Sequence, residues 1–429
     1  MWLLLATFAA PSVYGQTPFR ALESPNVAQG LADVPASRPF PKKTPQPDEP
    51  SPWWEGTAPD STLAPDLESM KPRRWTLSGG LTTGVEYDDN VLLAGRGPGK
   101  ISSAFYTVQP SVGIKYGPMG SGLAFDLKYT ADLEYYDNSA IKDAVNQNLA
   151  AAINWDLGRF RLTGALIFAS LNTSDIETGG QVARNTLAAN LGLTYDYSDK
   201  TAFGATYATS IFSPKNTALY IGSVEQTFGT FVDYKITGKT TLGLGGEYEN
   251  QQVDRGNDLN AYRMLVRSTW AATEKLTLHL IAGPELQRYT DGPSSWATYW
   301  RAGIDYKFLD TGKTTFSFDI YRNEAPSTVL VNQAYTATGI AGTFSYHPFV
   351  RLQMSAAIGY ENAIYMGTAP GVASDRMDNV YFFRPGVTYA VNRWSSLSVF
   401  YQWTRNSSTG IGAVNFERNN LGLMLNLVY

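Results

Sequence analysis

The chain has 429 residues, a formal net charge of −4, no cysteine and 13% aromatic residues. The lack of cysteine excludes disulfides, thiol catalysis and cysteine-ligated metals, and the lack of a basic run argues against a nucleic-acid partner. No stretch approaches the roughly 20 continuous apolar residues of a membrane-spanning helix, so a chain of this kind can cross a membrane only as a closed β-barrel.

Residues 1–15 have the pattern of a secretory signal peptide. Residues 2–10 form a short apolar core, and Val13 and Gly15 supply small residues at the two positions that a signal peptidase reads. The usual Lys or Arg before the core is missing, so we expect the true start to lie upstream. An uncleaved hydrophobic N-terminus is the alternative.

Residues 16–73 form a second zone, which holds about half of the prolines of the chain. Proline donates no backbone hydrogen bond, so this segment is predicted to be a disordered, extended periplasmic leader. Trp53 and Trp54 could dock on a partner or on the mouth of a barrel, although an inert tether is the simpler interpretation.

Residues 74–429 alternate between apolar and polar side chains with the period of a β-strand. The clearest case is residues 123–135, in which Leu123, Phe125, Leu127 and Tyr129 share one face and charged residues take the other. We count about eighteen such strands, with sixteen also open. The prediction is an all-β fold, a transmembrane antiparallel up-and-down barrel with both termini on the periplasmic side.

The connections between the predicted strands alternate in length. Short polar turns are predicted at 158–159, 198–200, 237–239 and 392–393, and long irregular gaps at 173–184, 213–224, 363–378 and 406–418. Barrels of bacterial outer membranes have short periplasmic turns and longer outer loops. The sequence therefore predicts location in the outer membrane, with the long gaps outside the cell.

The last strand is the sharpest local pattern. Apolar residues alternate without a break up to a terminal aromatic residue, namely Leu421, Leu423, Leu425, Leu427 and Tyr429. This pattern resembles the insertion signal read by the barrel-assembly machinery of Gram-negative bacteria. We therefore expect that machinery and outer-membrane lipid to be partners of the chain.

Strand parity assigns a set of charged residues to the lumen. The predicted pore-lining set is Lys115, Asp126, Lys128, Asp132, Glu134, Glu247, Arg263, Arg267, Glu285, Arg301, Asp305, Asp319 and Arg351. Acids slightly outnumber bases in the full lumen set, which predicts a weak preference for cations. The alternative is that these charges satisfy one another in a wall without selectivity.

Enzyme and metal chemistry find little support. The chain has only two histidines, His279 and His347, too few for a metal site, and a hydrolase would need one beside its nucleophile at the outer rim. Asp88 and Asp89 could serve calcium, but solvated loop carboxylates are the simpler interpretation. We predict no enzyme, no cofactor and no metal.

The first strand ends in Tyr87, Asp88, Asp89 and Asn90, and this element resembles the Tyr-Asp-Asp-Asn motif of a family of outer-membrane β-barrel porins. Gln109 to Val112 and the Tyr-rich strand that follows are similar to the next elements of that family, over residues 81–136. The resemblance implies an outer-membrane barrel. Some members are linked to exopolysaccharide systems.

Two functions follow as expectations. The first is a channel for passive passage of polar solutes or for export of an extracellular polysaccharide. The second is a non-conducting structural or adhesive barrel whose outer loops bind partners. The sequence leaves the oligomeric state open.

Overall fold

A computed structural model describes residues 75–95, 99–117, 122–308 and 314–428. All regular secondary structure in these ranges is β-strand, and no helix in them is long and apolar enough to span a membrane. The eighteen strands are β1 (Trp75–Asp88), β2 (Ser103–Tyr116), β3 (Leu123–Tyr136), β4 (Ala144–Leu157), β5 (Phe160–Asp175), β6 (Gly180–Asp196), β7 (Thr201–Pro214), β8 (Ser223–Lys235), β9 (Thr240–Val253), β10 (Leu259–Ala271), β11 (Leu276–Tyr289), β12 (Ser294–Phe308), β13 (Thr314–Pro326), β14 (Gln333–Phe349), β15 (Leu352–Gly367), β16 (Met377–Ala390), β17 (Ser395–Thr409) and β18 (Phe416–Val428).

The strands form one closed antiparallel barrel. Each strand pairs with the next along the chain, and β1 pairs with β18 to complete the ring. The closing seam runs from Gly80 opposite Val428 to Asp88 opposite Asn420. The predicted fold class and the count of eighteen strands are confirmed.

The outer face of the barrel is apolar. Leu77, Val112, Met264 and Ile358 are exposed although they are hydrophobic, and the residues beside them in sequence point to the interior. A closed barrel leaves no unpaired strand edge in lipid, and an exposed apolar face of this extent requires a nonaqueous surrounding. The protein is therefore an outer-membrane β-barrel.

The connections differ between the two ends, but less than the sequence predicted. At the end where β1 begins and β18 ends they include the tight turns 158–159, 197–200, 236–239 and 391–394, as expected. At the opposite, outer end the predicted long gap 173–184 is mostly strand, because β5 and β6 continue to a connection of residues 176–179. The gap 406–418 likewise shrinks to 410–415. Polar residues interrupt the apolar pattern there without ending the strands.

The predicted C-terminal signal lies on the lipid side of β18. Leu421, Leu423, Leu425 and Leu427 are all exposed on the outer face. Tyr429, the signal peptide (1–15) and the leader (16–73) lie outside the described residues, so their roles remain predictions.

Adjacent residues on β3 provide a test of which face meets lipid. Tyr129 is exposed on the outer face, whereas Thr130 points to the interior from the same depth. We expect Tyr129→Arg to lower the free energy of unfolding in bilayers by about 2–4 kcal/mol, because a cation near the midplane is costly on the lipid face. Thr130→Arg should cost much less, and urea titration in lipid vesicles measures both. Equal losses would contradict the assignment of the two faces.

Candidate functional site

The structure places most of the predicted pore-lining residues on the inner face of the barrel. Lys115 on β2 and Asp126 on β3 pair at 3.2 Å, and Lys128, Asp132 and Glu134 follow on the same side of β3. The remaining strand residues of the set also point inward, and they are Glu247, Arg263, Arg267, Glu285, Arg301, Asp305 and Asp319.

Arg351 is the exception to that placement. It lies with Val350 in the two-residue turn between β14 and β15 and is exposed to solvent. The parity count began β15 two residues too early, because Val350 fits its apolar alternation. Arg351 is therefore a turn residue at the periplasmic end and does not line the barrel wall.

A carboxylate cluster lies around Arg263 on the inner face of β8 to β13. The register places Arg263 opposite Glu247 on one side and Glu285 on the other. Its guanidinium lies 2.7 Å from Glu249, contacts Glu285, and covers the ring of Tyr299 at 4.5 Å. Several carboxylates thus share one cation, which leaves this part of the wall negatively charged.

Two further carboxylates extend the cluster. Glu324 accepts hydrogen bonds from Gln287 and from the Tyr289 hydroxyl, and Gln287 also donates to Glu285 at 2.6 Å. Glu225 on β8 lies nearby, since the register pairs it with Gln251 on β9, two residues from Glu249. We define the acidic wall as Glu225, Glu247, Glu249, Arg263, Glu285 and Glu324.

The periplasmic part of the inner face carries a more balanced set of charges. Arg161 pairs with Asp196 at 3.7 Å, and Arg301 lies 3.6 Å from Asp319. His279 is the fourth residue of β11. Its side chain lies between Asp305 and Asp319, at 3.8 and 3.5 Å. This position is near the periplasmic end and far along the strand from the outer rim.

Solvent access to the inner face differs between the two ends. The side chain of Lys115 is 55% exposed and that of Asp196 is 34% exposed, both in the periplasmic part. Towards the outer end, the side chains of Arg263 and Asp378 are 6% and 0% exposed. Side chains at the periplasmic rim are therefore accessible to water, whereas those towards the outer end are covered.

The cover consists of outer connections that contact one another. We define the lid as residues 89–95, 176–179, 215–222, 254–258, 327–332, 368–376 and 410–415. Its apolar core joins Leu93, Ile176 and Val414 with Val380 and Phe416 from the barrel wall. Thr368 donates to the Asn332 carbonyl at 2.8 Å, and Asn257 donates to the Thr368 carbonyl at 2.7 Å.

The motif Tyr87–Asn90 has a structural role at the closing seam. Asp88 is fully buried, and its carboxylate binds the equally buried Arg418 across the seam, with Arg418 Nε 2.6 Å away. Asn90 bridges the Ala94 carbonyl and the Glu417 carbonyl at 2.8 and 3.0 Å. The interpretation of Asp88 as a solvated loop acid is therefore wrong, because Arg418, two residues along β18 from the register partner Asn420, supplies a buried cation to it.

Asp89, which follows the end of β1, is held by two neighbours. Its carboxylate accepts from the Asn419 backbone at 2.7 Å and from Lys100 at 2.7 Å. Partial burial alone would raise the pKa of Asp89, but the bonds from Lys100 and Asn419 outweigh it and lower that pKa. These contacts therefore stabilise the fold above the ordinary Asp pKa and lose that effect only as the pH falls through the lowered value.

Among the described residues, no group of three or more potential ligands could hold a metal ion. The sequence predicted individual charges of the inner face but not the lid. Contacts between loops depend on distances that strand periodicity does not encode.

Comparisons with known proteins show similarity of architecture alone. No family model matches the chain, and no curated protein does. A crystal structure of Pseudomonas aeruginosa OpdL matches with 11% identity and a TM-score of 0.43, over 83% of this chain and 98% of the other. The apoprotein of the FrpB iron transporter from Neisseria meningitidis has 10% identity and a TM-score of 0.44, over 84% and 82%.

A bacterial polysaccharide outer membrane secretin matches with 9% identity and a TM-score of 0.32, over 82% of this chain and 97% of the other. These similarities are too low to carry an argument about cargo. The family resemblance of the Tyr87–Asn90 motif and its link to exopolysaccharide remain predictions.

The Asp88–Arg418 pair provides a test of the seam. Asp88→Leu should lower the free energy of unfolding by about 3–5 kcal/mol, because it leaves a buried guanidinium without its partner. The double variant Asp88→Leu/Arg418→Met should recover most of that loss, since it removes both charges. Urea unfolding in vesicles measures the three proteins. A double variant as unstable as the single one would contradict this role of the pair.

Proposed function

We propose that the protein is an outer-membrane channel for small polar solutes, with a preference for cations. The observation that supports it most directly is the charged inner face of the barrel, on which Lys115 and Asp196 at the periplasmic rim are accessible to water. A polar, hydrated lumen lowers the barrier that the hydrocarbon core sets for polar solutes.

The acidic wall supports the preference for cations. Arg263 is the one cation in that group, and it pairs with three carboxylates, those of Glu247, Glu249 and Glu285. A surplus of fixed negative charge raises the local concentration of cations and lowers that of anions. An acidic polysaccharide would be repelled at this level, so small neutral or cationic solutes fit the wall better than an acidic polymer.

Planar-bilayer recordings of the purified protein test the channel. We expect current steps, and a reversal potential in a salt gradient that has the sign of cation preference. Insertion without current in any condition would contradict the proposal and favour the non-conducting barrel whose outer loops bind partners.

Glu247→Gln tests the acidic wall. Of the three carboxylates that pair with Arg263, that of Glu247 belongs to the most exposed side chain, at 23%. One charge about 4 Å from an ion in water contributes about 1 kcal/mol, or about fivefold in local cation concentration. The variant should therefore lower the ratio of cation to anion permeability by up to about fivefold. The reversal potential then shifts towards zero. Asp199→Asn, in an exposed periplasmic turn, is the matched control and should leave the potential unchanged. Equal effects of the two variants would contradict the role of the wall.

A further inference from the structure

The connection between β5 and β6 crosses the outer mouth of the barrel. Residues 176–179 lie between the fifth and sixth strands, yet Glu177 contacts Ser327 and Thr328, which follow the thirteenth strand. In a ring of eighteen strands these positions are almost opposite each other. The contact therefore spans the opening.

The local sequence builds a rigid tip for this crossing. The Asp175 carboxylate accepts from the backbone of Glu177 at 2.9 Å and of Thr178 at 3.1 Å, which closes the turn. Gly179 has a φ of +67°, and a Cβ there would lie 2.7 Å from Val414 Cγ1. Glycine at this position permits both the turn and its close approach to the connection between β17 and β18.

Glu177 is the main polar attachment of the tip. Its carboxylate accepts from Ser327 Oγ at 2.5 Å, from Thr328 Oγ1 at 2.6 Å and from Thr328 N at 3.0 Å. Its own carbonyl accepts from Arg376 at 3.1 Å, and Arg376 is fixed by Asp378 at 3.0 and 2.9 Å. The Glu177 residue is only 4% exposed, so water competes little for these bonds.

The segment 327–332 in turn holds other parts of the lid. Ile221 donates its backbone N–H to the Thr328 carbonyl at 2.8 Å, and Thr368 donates to Asn332. Two apolar contacts add to the polar ones, since Ile176 packs with Leu93 and Val380. Loss of the Glu177 contacts would therefore loosen several connections together and not one loop alone.

We propose that residues 176–179 form a releasable latch, in which the Glu177 carboxylate holds the lid closed over the lumen and its release opens the outer mouth. This regulation rests on the proposed channel, because a gate has a purpose only if solute passes. The barrel wall beneath is complete without the latch, as every strand is paired with two neighbours. Opening therefore requires no break in the barrel.

Thiol labelling tests the latch without requiring current, because the chain has no native cysteine. Thr107→Cys places a thiol on the inner face beneath the lid, where Thr107 is 1% exposed and its hydroxyl has no hydrogen-bond partner among the described residues. A membrane-impermeant maleimide is added to intact cells. Adding Glu177→Ala should raise the labelling rate by about tenfold or more, since three hydrogen bonds to the carboxylate are lost.

Two controls accompany that comparison. Ser139→Cys, on the exposed connection 137–143 outside the lid, should label at the same rate with and without Glu177→Ala. Asp137→Ala, on the same connection, should leave the labelling of Thr107→Cys unchanged. Equal labelling of Thr107→Cys in the Glu177→Ala and Asp137→Ala backgrounds would overturn the latch.

A second variant covers the case in which Glu177→Ala impairs folding. Glu177→Cys/Ser327→Cys, joined by a short bifunctional reagent that a reductant cleaves, holds the latch shut. Reduction should increase conductance severalfold in planar bilayers, whereas unchanged conductance in a conducting protein would overturn the latch and leave the channel intact. Faster labelling of Thr107→Cys without current in any variant would support the opening of the lid and overturn the channel.

Discussion

The structure depends on closing the hydrogen-bonded ring between β1 and β18. In lipid, an unpaired row of backbone N–H and C=O groups has no water to bind, so an open sheet edge could not persist there. The seam meets this constraint by pairing Gly80–Asp88 with Asn420–Val428. Asp88 and Arg418 then add a buried ion pair at its outer end, where the first outer connection begins.

The two faces of the closed wall then follow from strand geometry. Because side chains alternate with period two, closure sends one set to lipid and the other to the lumen. The exposed Tyr129 and the ion-paired Asp126 of β3 show the two outcomes on one strand. Charge on the inner face and apolarity on the outer face are thus consequences of one pattern.

The same physics explains how far the sequence could be interpreted. Alternation over thirteen or more residues predicted the barrel, its strand number and the inward direction of residues such as Arg263 and Asp319. It failed where a strand meets a turn, at Arg351, and where polar residues continue a strand above the membrane, as in β5 and β6. It could not show that Asp88 would meet Arg418, because the two are 330 residues apart in the chain.

Strand periodicity could not predict the lid for the same reason. Glu177 in a four-residue connection gives no sign in sequence that Ser327 lies opposite, 150 residues later. Only closure of the ring brings these two connections across one opening. The asymmetry of the inner face, accessible to water at the periplasmic rim and covered at the outer end, is thus a property of the assembled barrel.

Single-cysteine variants at residues 125–130 of β3 test the central claim, that an aqueous lumen and lipid lie on the two sides of one wall. A membrane-impermeant thiol reagent supplied from the periplasmic side of reconstituted vesicles should label positions 126, 128 and 130 and spare 125, 127 and 129. Labelling without alternation, or labelling of the odd positions alone, would contradict the structure described for this barrel.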